Sequence, residues 1–100
     1  MSSRYSPVHW FTIFLDYRIY KYFDIIHYDT HNYLLYSKEK TKVFCAFLIV
    51  RTSKYCFRLM IYHKDRELVY YSFKSARITA QFVNSYYYNI FLKDINNNIC

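Results

Sequence analysis

The chain has no glycine. At an average usage of about 7% per position, a chain of this length without one is expected roughly once in a thousand. Left-handed backbone then falls to Asn or Asp, so tight primed hairpin turns are disfavoured and longer polar loops are expected. A Gly-rich phosphate cradle and a Gly-flanked nucleophile elbow are excluded in their usual forms. Acidic residues are also scarce, 7 against 14 Lys and Arg, for a formal net charge of +7. That balance favours acidic partners: nucleic acid, a membrane surface or an acidic protein patch. The cations are spread along the chain and form no basic arm.

Long apolar runs are missing as well. Asp16, Arg18 and Lys21 interrupt the N-terminal aromatic stretch, and no membrane span is expected. Arg4 is the one charge before Pro7 and His9, and no small-residue cleavage site follows, so no secretory signal is expected. The three cysteines are an odd number, which suits a reducing compartment inside the cell, cytoplasm or nucleus.

What is present is apolar and aromatic: 54% of residues are hydrophobic, with 14 Tyr and 9 Phe. Such usage has the look of an AT-rich genome and of a fast-evolving or viral accessory chain. One hundred residues make a single small domain with enough apolar side chain for one core. Residues 1–8 and 94–100 read as frayed polar tails.

Residues 43–50 (VFCAFLIV) have the length and make-up of a strand buried on both faces. Residues 55–62 (YCFRLMIY) alternate as a second strand, 63–67 (HKDRE) form a polar hairpin tip, and 68–73 (LVYYSF) a third strand. The simplest register sets Val50 opposite Tyr55 and Tyr62 opposite Leu68. One sheet face then carries Phe44, Ala46, Leu48, Phe57, Leu59, Ile61, Val69, Tyr71 and Phe73, all apolar or aromatic. Cys45 pairs with Met60, leaving Cys45 and Cys56 out of step as free buried thiols.

Ser75 is a candidate N-cap. Beyond it Thr79, Phe82, Val83, Tyr86, Tyr87 and Ile90 recur at helical spacing, predicting an amphipathic helix over about 75–92 packed on the apolar face. Residues 11–25 alternate at odd positions and read as strand, with helix as the rival; 33–36 (YLLY) read as a short strand. The fold class is therefore α+β: an antiparallel sheet of three to five strands, core meander 43–73, with one C-terminal helix.

Chemistry is sparse. His27 and His31 lie four apart near Asp24 and Asp29, but Asp29, Thr30 and Asn32 mark a turn, and solvated loop histidines are the simpler reading. Asp65 and Glu67 flank Arg66 as an exposed ionic turn. No metal site, cofactor or catalytic constellation is expected, and the chain reads as a non-enzyme.

What remains is the mixed sheet face. Arg58, Tyr62 and Tyr70 lie on it, and Arg51, Lys54, Lys64 and Arg66 sit in the hairpin turns. Cations beside rings suit nucleic acid, since phosphates take Lys and Arg while bases stack on aromatics. Those seven are the candidate nucleic-acid-binding residues. Two arrangements are open: residues 11–25 cover this face as a sandwich or rolled barrel, or it stays exposed.

Residues 54–88, especially Tyr70 to Ala80 (YYSFKSARITA), resemble the strand-to-helix end of the Apetala-type DNA-binding domain of plants and apicomplexans. That resemblance implies three antiparallel strands in a DNA major groove with a helix behind. The family's glycines and first-strand arginines are missing; Cys45 and Leu48 stand there. The same residues resemble the last two strands and closing helix of phosphotyrosine-binding and pleckstrin-homology domains. Two unrelated families fit alike, and neither is assigned.

Two functions follow as expectations: a small basic module that binds nucleic acid, or a protein-interaction or assembly module, including a homo-oligomer, with no nucleic-acid role.

Overall fold

The computed structural model describes residues 11–29 and 31–99, with side chains placed for all but 27–29, 98 and 99. Five strands pair antiparallel in sequence order: β1 (Phe23–Asp29), β2 (Asn32–Ser37), β3 (Cys45–Ser53), β4 (Cys56–His63) and β5 (Val69–Phe73). A continuous C-terminal helical segment packs on one face. It comprises α1 (Ala76–Tyr86), a π-turn (Tyr87–Phe91) and α2 (Leu92–Ile99). This is the expected α+β class, with the helix running on past residue 92 so that 94–99 are helical.

The second hairpin has the expected register, with Met60 opposite Tyr70 and Ile61 opposite Val69. The first does not. Cys45 faces His63 and Ile49 faces Leu59, a slip of three residues from the simplest pairing. An odd slip turns every β3 side chain to the other face. Cys45, Phe47 and Ile49 are buried beneath the helices, while Phe44, Ala46, Leu48 and Val50 point away from them. The nine residues expected on one face are thus divided between the two. The cause is the turn. Residues 43–50 are apolar on both sides and cannot choose a register, so β3 runs on to Ser53 and closes through Lys54 and Tyr55. A register shift between Arg51 and Ser53 takes up the twist that a glycine turn would otherwise supply. Among the described residues positive φ occurs only at Lys42 and Asp65, both 66°.

Residues 11–21 are also a correction. They form a helical turn through residue 13 and a 3-10 turn (Tyr17–Lys21), and strand begins only at Phe23. Burial takes every fourth residue, Phe11, Leu15, Ile19 and Phe23, and leaves Ile13 and Tyr17 exposed. This segment lies on the helix side. The Asn84 side chain accepts from Asp16 N–H at 2.9 Å and donates to the Phe14 carbonyl at 3.1 Å, and the Tyr87 hydroxyl donates to the Arg18 carbonyl. The segment therefore shares the core and does not cover the opposite sheet face. The candidate tail 1–8 lies outside the described residues.

The helix begins as expected, with Ser75 Oγ accepting from Ile78 N–H at 3.1 Å. Its buried stripe runs Ala76, Thr79, Ala80, Val83, Tyr87, Phe91, Ile95. Steps of four overshoot an α-helical turn by about 40° each. The wider π-turn at Tyr87–Phe91 takes back part of that drift and keeps Phe91 and Ile95 on the sheet. There Phe91 packs 4.7 Å from Phe23, and Phe23 5.4 Å from Phe47. Each such ring, fully buried, contributes on the order of 1.5–3 kcal/mol.

Candidate nucleic-acid interface

With both helices and residues 11–21 on one side, the other sheet face is uncovered among the described residues. Cross-strand pairing sets its side chains in rows. One row is apolar across all five strands: Ile26, Leu34, Leu48, Met60, Tyr70. On one side of it runs Asp24, Tyr36, Ala46, Tyr62; on the other, Asn32, Val50, Arg58, Ser72. Leu48, Val50, Thr52, Arg58, Met60 and Tyr70 border a shallow depression of about 390 Å³.

Three of the seven candidate residues share this face. Tyr62 is 50% and Tyr70 67% exposed, and Arg58 is exposed between Val50 and Ser72. Lys54 and Lys64 lie at opposite ends of β4: Lys54 in the turn, its ammonium 5.3 Å from the Tyr55 ring centre, and Lys64 directly after His63. The other two point elsewhere. Arg51 pairs with Phe57 and so falls on the helix side, with its Nε buried and making no hydrogen bond. Arg66 reaches α2, where its guanidinium makes two 3.0 Å bonds to the Asp94 carboxylate.

Phe44 joins the site unforeseen. It is 47% exposed, and its ring stands edge-on to Tyr62 at 5.6 Å. The β3 pattern could not reveal it, because its neighbours are apolar on both faces. Lys38 and Lys42 also escaped notice; with Lys64 they border a depression of about 200 Å³ that Phe44 lines too.

The polar constellation on the helix side is of another kind. His63, expected in a turn, is the last residue of β4 and 1% exposed. Its Nδ1 lies 2.8 Å from the Tyr86 hydroxyl, and its Nε2 3.0 Å from Asp94 Oδ2, at an angle that makes no hydrogen bond. Burial lowers the His63 pKa against the pull of Asp94, so the imidazole is neutral at pH 7. Burial pushes the Tyr86 phenol up to about 12 and the Cys45 thiol higher still, which leaves both protonated. Arg66 holds Asp94 below the usual carboxylate range. Asp94, His63 and Tyr86 sit together around a buried imidazole, and the group ties β4 to the C-terminal helices. Among the described residues no three His, Cys, Asp or Glu side chains converge as metal ligands, and no helix is long and apolar enough to cross a membrane.

Comparison with protein-family models, with curated proteins and with solved structures finds no match to this chain.

Proposed function

We propose that the chain is a non-catalytic module that binds single-stranded nucleic acid on the open face of its sheet. The observation that carries this reading is the joint exposure of Arg58, Tyr62 and Tyr70, with Phe44 beside them, on a face that no described segment covers. Exposed rings offer stacking at about 1–3 kcal/mol per base whatever the sequence, and the net charge of +7 supplies attraction for phosphate. A five-stranded sheet is roughly 19 Å across at about 4.8 Å per strand gap, wider than the ~12 Å major groove of DNA. Unpaired bases therefore fit the face better than a duplex does. The free thiols of Cys45 and Cys56 suit an intracellular, reducing setting.

Titration with labelled single- and double-stranded oligonucleotides at two salt concentrations tests the proposal. Single strands are expected to bind more tightly, with affinity falling as salt rises, and Tyr62→Ala to weaken them about tenfold. Absence of binding at low salt, or binding indifferent to salt, overturns it.

The apolar row from Ile26 to Tyr70 supports a second reading, a protein-interaction face closed by another copy of the chain or by a different protein. Sedimentation over a range of concentrations separates the two. A concentration-dependent dimer broken by Leu48→Lys favours assembly; a monomer at all concentrations favours the open platform.

A further inference from the structure

We infer that Lys38, Lys42 and Lys64 form a phosphate subsite that takes the backbone of a single strand as it leaves the ring platform; this rests on the proposed function and adds the direction of the path. Three separate segments bring these cations together: Lys38 follows β2, Lys42 precedes β3, and Lys64 follows β4.

The backbone beneath them is fixed. Lys38 N–H donates to the Tyr22 carbonyl at 2.7 Å and Lys64 N–H to the Phe44 carbonyl at 2.8 Å. The Thr41 hydroxyl donates to the Lys38 carbonyl at 2.8 Å, and Lys42 is held at φ 66° with its N–H on the Glu39 carbonyl. The depression is therefore held by main chain as well as by mobile side chains.

Its cations are largely uncommitted. Lys42 and Lys64 make no ion pair among the described residues, and Lys38 has only Asp24, 4.0 Å away. Glu39 also lines the depression and Asp24 faces Lys38, but three lysines against these two carboxylates leave the balance positive. A phosphodiester placed there relieves repulsion among like charges.

Continuity with the platform comes through Phe44. It borders the depression, and its ring lies 5.6 Å from that of Tyr62. Tyr62 is in turn diagonal to Tyr70 across the β4–β5 pair, a spacing of about 7–8 Å between backbones. Three rings thus lead from β5 to the lysines. Beyond Lys64 lies a second hollow, lined by Lys42, Lys64, Asp65, Arg66 and Asp94, where Arg66 is already bound to Asp94. A strand of about three nucleotides occupies the rings, and a fourth brings its phosphate to the lysines.

The test is anisotropy titration of oligothymidylates two to eight nucleotides long at two salt concentrations. The proteins compared are the native chain, Tyr62→Ala, and the double variant Lys42→Asn with Lys64→Gln. Asn tolerates left-handed backbone, so the double variant is expected to keep its fold, and circular dichroism checks this. The native chain is expected to gain about tenfold in affinity between three and five nucleotides. The double variant is expected to lose that gain, to lower the salt slope for long oligonucleotides by about 0.7 for one phosphate contact, and to bind the trimer unchanged. Equal weakening at all lengths, or no weakening, overturns the subsite while Tyr62→Ala still reports the platform. If the native chain binds no oligonucleotide, the platform and the subsite fall together.

Discussion

The Nδ1 of His63 lies 2.8 Å from the hydroxyl of Tyr86, which joins the end of β4 to the last turn of α1. A neutral imidazole carries one proton, and whichever of the two groups donates, the phenol is the hydrogen-bond partner of Nδ1. Tyr86→Phe strands that buried nitrogen and is expected to cost about 1–3 kcal/mol in urea denaturation.

The same imidazole predicts an acid-sensitive fold. Burial lowers its folded-state pKa below the ordinary imidazole value of about 6.5, so its contribution is complete above that value and lost as pH falls through the folded one. The carboxylates of Asp16 and Asp94 are held below their ordinary range and stay ionised at pH 5. Denaturation midpoints at pH 7.5 and 5 should therefore differ in the native chain and differ less in His63→Gln. An equal drop in both proteins would assign the effect to other groups.

Asn84 joins α1 to the N-terminal segment through two hydrogen bonds, to the backbone of Asp16 and of Phe14. Asn84→Ala should cost about 1–2 kcal/mol. It should also speed hydrogen exchange at residues 14–19 more than in β3 and β4. Unchanged exchange there would show that Phe11, Leu15 and Ile19 hold the segment by burial alone.

Ser75→Ala removes the cap on Ile78 N–H and should lower stability by about 1 kcal/mol, with Ser75→Asp restoring most of it. A thermal melt followed by circular dichroism reads both.

Cys45 is fully buried with its thiol pushed up by burial, whereas Cys56 is only half-buried. In alkylation followed by peptide mass mapping, Cys56 should label in the folded chain and Cys45 only after unfolding. Equal rates at the two thiols would contradict the β3 register, which puts Cys45 beneath the helices.

β4 and β5 are legible in the sequence because Arg58, Tyr62, Tyr70 and Ser72 all fall on one alternate set of positions and fix which side faces the helix. For that reason the exposed face survives the slip in the first hairpin: Arg58, Tyr62 and Tyr70 take their sides from the second. β3 is not legible, since its run is greasy on both sides and the Lys54–Tyr55 turn decides instead. That same ambiguity hides Phe44. Residues 11–21 mislead through their aromatic content, which suits strands, while their burial follows a period of four. His63 is missed because it abuts the charges of Lys64 and Asp65, so a core residue reads as part of a turn.

The meander order has a consequence for assembly in time. Each strand pairs with the one synthesised just before it, so hydrogen-bonded sheet can grow from the N-terminal side without waiting for distant segments, the kind of topology that folds quickly. The lid from Ala76 onward leaves the ribosome after the whole sheet, and until it closes both broad surfaces of the ribbon are wet and oily. A chain stopped before Ala76 is therefore the form most exposed to aggregation, and the helical segment 76–99 protects the fold against it.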